Sequence, residues 1–255
     1  MLNIEGVENP LFEHSRRFSQ GLGSVRIAAG DIIVALDGSG DYDNLEEAIN
    51  SEKSGSFFLK EGIYILSDKL KISSNTTIRG SGGGTIIQTQ SSGSYWIDLN
   101  GKNDVLIENL KFKFYCASGT EAPIEIDNAK RITFKNVIFE NEDDNMSAIM
   151  WTPYGTTADY IYIINCRYIK YSATIKDLFI SPITTGIIEG NQFDDLDLVH
   201  TGVDAFMNNI IVIGNYFYSI TFEAGSNNNV CIGNQIDDAV TDNGTGNQVG
   251  YNATF

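Results

Sequence analysis

The sequence predicts an all-β chain wound as one right-handed parallel β-helix of about 7–9 coils, with a short N-terminal capping helix. Three observations carry that reading. A short segment recurs down the chain, one position of it holds only Gly or Asn, and no long helical periodicity separates the copies.

The copies read Ile107-Glu108-Asn109-Leu110-Lys111-Phe112, Phe134-Lys135-Asn136-Val137-Ile138-Phe139 and Ile163-Ile164-Asn165-Cys166-Arg167-Tyr168. Ile188-Glu189-Gly190-Asn191-Gln192-Phe193, Val212-Ile213-Gly214-Asn215-Tyr216-Phe217 and Cys231-Ile232-Gly233-Asn234-Gln235-Ile236 follow, with a degraded copy ending at Phe255. Their closing residues are spaced by 27, 29, 25, 24, 19 and 19, periods that belong to solenoids. Three residues before each closing position stands Asn109, Asn136, Asn165, Gly190, Gly214, Gly233 or Asn252, with Gly80 upstream. Gly and Asn accept a left-handed backbone most readily, so each coil is expected to turn a corner there. Two residues before the closing position, Leu110, Val137 and Cys166 give way to Asn191, Asn215 and Asn234. Asparagines stacked on successive coils satisfy one another by hydrogen bonds along the stack.

An open coil end exposes unpaired backbone, so a solenoid needs a lid. Asp43 as N-cap with Glu46 three residues on, then Leu45, Ala48 and Ile49 on one face, predict a capping helix that stops at Ser54-Gly55. The chain divides into an arm, 1–30, and a β-helix domain, 31–255.

Composition narrows the function classes. A net charge of −16 repels phosphate backbones and anionic lipid, so neither nucleic acid nor membrane is an expected partner. Residues 1–10 carry Glu5 and Glu8 and no long apolar run, so no signal peptide is read there. Cys116, Cys166 and Cys231 lack metal-ligand spacing, two of them fall on core positions, and no metal or other cofactor is expected.

The runs Asp37-Gly38-Ser39-Gly40-Asp41-Tyr42, Phe57-Phe58-Leu59-Lys60-Glu61-Gly62-Ile63-Tyr64 and Thr77-Ile78-Arg79-Gly80-Ser81-Gly82 resemble the opening of pectate lyase-like β-helices, and in character the chain is closest to phage tailspike and virion members. The resemblance covers about residues 31–255 and implies the fold. The active-site runs of pectin methylesterases and polygalacturonases do not occur in this sequence, which points away from an inherited pectinolytic activity.

The candidate catalytic residues are Glu140, Asp194, Asp195 and His200, in acidic runs just after the closing positions, with Lys170 between them. Such charge runs are more often wet turns, which would hold the acids ionised and leave no proton donor. Trp151, Tyr154 and Tyr160 are candidate platforms for sugar rings. Tyr162, Ile164, Ile187, Ile211, Ile213, Val230 and Ile232 form an apolar stripe facing away from the core, expected at an oligomer interface, most simply a homotrimer. In the arm, Phe12, Arg16, Arg17 and Phe18 suit docking onto another virion protein. These features favour a virion-associated structural or adhesion protein, assembled in a host cytoplasm, with a host surface glycan as a further partner. The alternative is a polysaccharide depolymerase, hydrolase or lyase, of the tailspike type.

Overall fold

The computed structural model describes residues 27–89, 96–115, 123–141, 150–151, 157–170, 179–180, 183–192, 208–217, 220–222, 225–236, 240–250 and 252–254. The arm residues Phe12, Arg16, Arg17 and Phe18 lie outside them, as does Cys116.

Every strand pairing is parallel, and the strands stack as three faces of a right-handed solenoid. The long sheet holds ten strands in chain order: Ile32–Val34, Gly55–Leu59, Thr76–Gly80, Asn103–Glu108, Lys130–Lys135, Asp159–Ile164, Gly186–Glu189, Ile210–Ile213, Val230–Ile232 and Gln248–Gly250. The second sheet runs through Gly62–Leu66, Thr85–Thr89, Lys111–Phe114, Ile138–Asn141 and Arg167–Lys170. Bridges at Gln192 carry it on to Tyr216–Phe217, and thence to Gln235–Ile236 and Ala253–Thr254. The third comprises Leu70–Lys71, Ile97–Asp98, Ile124–Glu125, Met150–Trp151 and Phe179–Ile180. Among the described residues five coils therefore have strands on all three unbroken faces, fewer than the spacing of the copies implied.

Alternation puts one apolar residue per coil into the core at each register position. Ile107, Phe134, Ile163, Ile188, Val212 and Cys231 stack in one buried column. Phe112 lies over Phe139 at 6.0 Å between ring centres, and Phe134 meets Phe139 edge-on at 5.8 Å. Cys166 and Cys231 are buried free thiols in this core.

Six of the expected corners are left-handed: Asn109, Asn136, Asn165, Gly190, Gly214 and Gly233 have φ between 52° and 66°. Gly80 is different. It lies inside a strand, and a Cβ there would stand 2.5 Å from the Asn109 carbonyl oxygen, so close approach rather than φ demands glycine. The last copy is also shifted by one residue. Ile236 pairs with Thr254, not Phe255, which moves Asn252 from the corner into the asparagine column.

That column is a hydrogen-bonded ladder. The Oδ1 of Asn191 accepts the Cys166 N–H, Asn215 accepts from Asn191, Asn234 from Asn215 and Asn252 from Asn234, at 2.7–3.0 Å. The side-chain amides donate in turn to the next Oδ1 and to strand carbonyls such as those of Ile163, Ile188 and Val212.

A second corner, at the start of the long-sheet strands, was not foreseen. Asn75, Asp104, Arg131, Tyr160, Asn209, Asn228 and Gly246 all have φ between 55° and 71°. Lys130 pairs with Asn103 and Asp159, and Ile132 with Val105 and Ile161, so Asp104, Arg131 and Tyr160 occupy the same step on three coils and leave the ladder there without changing its register.

The capping helix spans Leu45–Glu52 and buries Leu45, Ala48 and Ile49 against the first coils. Its N-cap is Asn44, whose side chain accepts the Glu47 N–H, rather than Asp43. Glu46 does not close a capping box. It accepts the backbone N–H groups of Ser67 and Asp68 and ties the helix to the first coil.

Candidate functional site

The second sheet presents two columns of outward side chains. One reads Ile63, Ile86, Lys111, Ile138 and Arg167, the other Ile65, Gln88, Lys113, Glu140 and Ile169. The first two coils carry no charge there, with Ile63 and Ile65 about half exposed, and charge begins at the third. There Lys111 Nζ donates to Glu140 Oε2 at 2.6 Å, and Lys113 Nζ stands 3.6 Å from Oε1. The Lys113 ammonium also lies over the Tyr115 ring, 5.7 Å from its centre.

Glu140 is thus not on a wet turn. It is a buried strand residue whose two oxygens each face an ammonium group. In the strand register the residue beside it on the following coil is Ile169, and Lys170 pairs with Asn141. A buried carboxylate needs such compensation, because its desolvation is otherwise uncompensated. Chemically, the triad sets one buried carboxylate against two ammonium groups.

Asp194, Asp195, His200 and Tyr154 lie outside the described residues. Trp151 is a strand residue of the third sheet, paired with Glu125 and Ile180. Tyr160 stands apart from it on the corner ridge, 41% exposed. The apolar stripe resolves into two adjacent columns on the outside of the long sheet. Tyr162, Ile187, Ile211 and Val230 form one, and Ile164, Ile213 and Ile232 the other, interrupted by Glu189. All are half-buried except Ile211, at 40% exposure. Among the described residues no cluster of His, Cys, Asp and Glu has the makings of a metal site.

Sequence reasoning missed Lys111 and Lys113. Their alternation with Phe112 and Phe114 was a signal that they point outward, but their meeting with Glu140 depends on which coils are neighbours. It missed Asp104 and Arg131 as well, which form a bidentate pair at 2.6 and 2.8 Å.

No family model matches this sequence, and no curated protein does. Solved structures match it in shape. A pectin methylesterase in complex with a hexasaccharide superposes with a TM-score of 0.57 at 11% identity, covering 85% of this chain and 81% of the other. The pectin methylesterase from Erwinia chrysanthemi does so with 0.57 at 10%, over the same shares. The catalytic domain of a GH87 α-1,3-glucanase in complex with nigerose gives 0.55 at 14%, covering 84% of this chain and 41% of that one. At such identities the likeness speaks to architecture alone, and the architecture is a right-handed parallel β-helix.

Proposed function

We propose that this protein is a polysaccharide-active β-helix that holds an extended, anionic glycan along the outside of its second sheet. One observation carries the reading. In a chain of net charge −16, the described outer columns of this sheet set Lys111 and Lys113 on one coil and Arg167 two coils further on, with a single carboxylate, Glu140, on the coil between. Coils repeat every ~4.8 Å, so Arg167 stands about 10 Å along the axis from the two lysines, and an extended polyanion can be held at both places. Ile86, Ile138 and Ile169 between them offer apolar surface to sugar rings. The β-helices of similar shape, two of them solved with a hexasaccharide and with nigerose, support the saccharide reading.

Hydrolysis at this place is disfavoured, since it takes one carboxylic acid and one carboxylate held apart, and Glu140 is spent on its lysines. The role assigned to this face is therefore grip. Calorimetric titration of the full chain with acidic and neutral oligosaccharides tests it. Acidic chains should bind better, lose affinity with added salt, and weaken about tenfold or more in Arg167→Ala and in the double variant Lys111→Ala, Lys113→Ala. Equal binding of both classes, or affinity untouched in Arg167→Ala and the double variant alike, would discard the reading. New reducing ends in the same mixtures would show turnover and move attention to Asp194, Asp195 and His200.

A further inference from the structure

The left-handed corner that begins the long-sheet strands carries side chains its backbone does not favour. At four coils it is turned by Asn75, Asn209, Asn228 and Gly246, types that accept positive φ readily. On three successive coils between them it is turned by Asp104, Arg131 and Tyr160, at φ 58°, 56° and 55°. Arginine and tyrosine gain nothing from that conformation, and burial does not compensate them. The Arg131 and Asp104 side chains are 51% and 45% exposed, and Tyr160 is 41% exposed. The ion pair does not account for them either, because exposed pairs contribute little to stability. Disfavoured conformations kept at an exposed ridge point to work done by the side chains.

Their geometry says what work. Arg131 Nε donates to Asp104 Oδ1 at 2.6 Å and Nη2 to Oδ2 at 2.8 Å, which fixes the guanidinium plane and leaves Nη1 without a partner among the described residues. One coil further, ~4.8 Å along the axis, comes Tyr160, an exposed aromatic residue on the same ridge. Beside it Asp159 is held by the Thr184 hydroxyl at 2.9 Å. A rigid donor–acceptor fork next to an exposed aromatic face is the chemistry that recognises a sugar: vicinal hydroxyls on the fork, the ring's C–H face on the aromatic.

We propose that Asp104, Arg131 and Tyr160 form a second saccharide site, which takes an uncharged pyranose unit. The inference rests on the saccharide reading of the protein. Its site is nonetheless separate, since the ridge begins the long-sheet strands whereas Lys111 and Lys113 follow their far end.

The test uses the full chain with neutral gluco-, manno- and galacto-oligosaccharides, read by calorimetry, alongside melting temperature. Tyr160→Asn relieves the backbone, so it should melt no lower than the parent. It should nevertheless bind the neutral sugar about tenfold more weakly, while Tyr160→Phe keeps most of the affinity. Arg131→Asn should behave as Tyr160→Asn does. Acidic oligosaccharides should bind all three variants as they bind the parent. A parent that binds no neutral sugar, or a Tyr160→Asn protein that binds it unchanged, overturns the ridge site alone. A parent that binds neither acidic nor neutral sugar overturns both this site and the function proposed above.

Discussion

Asn215 shows how much one residue does in this molecule. Its Nδ2 donates to the Ile188 and Ile213 carbonyls and to Asn234 Oδ1, while its own Oδ1 accepts both the backbone and the side-chain N–H of Asn191. Asn215→Ala leaves several of these groups buried and unmatched, and should cost on the order of 3 kcal/mol by urea denaturation. Asn215→Asp should cost more, because a carboxylate donates nothing to the two carbonyls. A loss below about 1 kcal/mol for both would mean that water replaces the ladder. In the column of corners, three coils from Asn215, Asn136 has φ 52°, so Asn136→Val should destabilise by roughly 1–2 kcal/mol, whereas Asn136→Gly stays near the parent. Both positions were legible in the sequence, because residue type alone reports a left-handed corner or an amide stack. Arg131 and Tyr160 were not legible for the same reason, since nothing in their chemistry announces positive φ.

Among the elements, the helix Leu45–Glu52 was readable from its apolar face, but its cap was misplaced by one residue. Asp43 and Asn44 are both capping types, and the choice between them follows from where Tyr42 must sit to bridge Val34 and hydrogen-bond Glu52. Asn44→Ala should therefore lower stability by about 1 kcal/mol while Asp43→Ala changes little, as thermal melts can check. The outer face of the long sheet was legible too, since strict alternation assigns Tyr162, Ile187 and Ile211 to one side. Their exposure is reduced by stacking on one another, which sequence does not report. We propose that this face joins copies of the chain. Ile211→Lys should shift sedimentation toward a smaller species, and a parent that sediments as a monomer would refute the proposal.

For the molecule as a whole, the repeat spacing gave away a solenoid, and the ten-stranded sheet keeps the order that spacing implied. The polar triad of the candidate site escaped because contacts between coils depend on how many residues each coil spends between faces. Glu140 therefore meets lysines 29 and 27 residues upstream, Lys111 and Lys113. The narrow core also has a pH signature. Burial pushes the Cys166 thiol up to about 12 and Cys231 to about 11, from 9.0. An unfolded chain would release these protons near pH 9 while the folded chain retains them. Stability should hold below pH 9 and decline as pH rises from there toward about 12. The urea midpoint of Cys166→Ala should fall less steeply over that interval than the parent's; parallel slopes would disprove the attribution.

The asparagine ladder has an architectural corollary. Each rung takes its acceptor from the next coil and lends its own to the coil before, 24 residues apart at first and then 19. Every interior rung is thus chemically interchangeable with its neighbours. A duplicated stretch of one coil inserted at Asn215 would find a donor above and an acceptor below already in place. The rod can be lengthened or shortened by cutting and pasting whole turns, like a modular ruler, without redesigning what lies on either side.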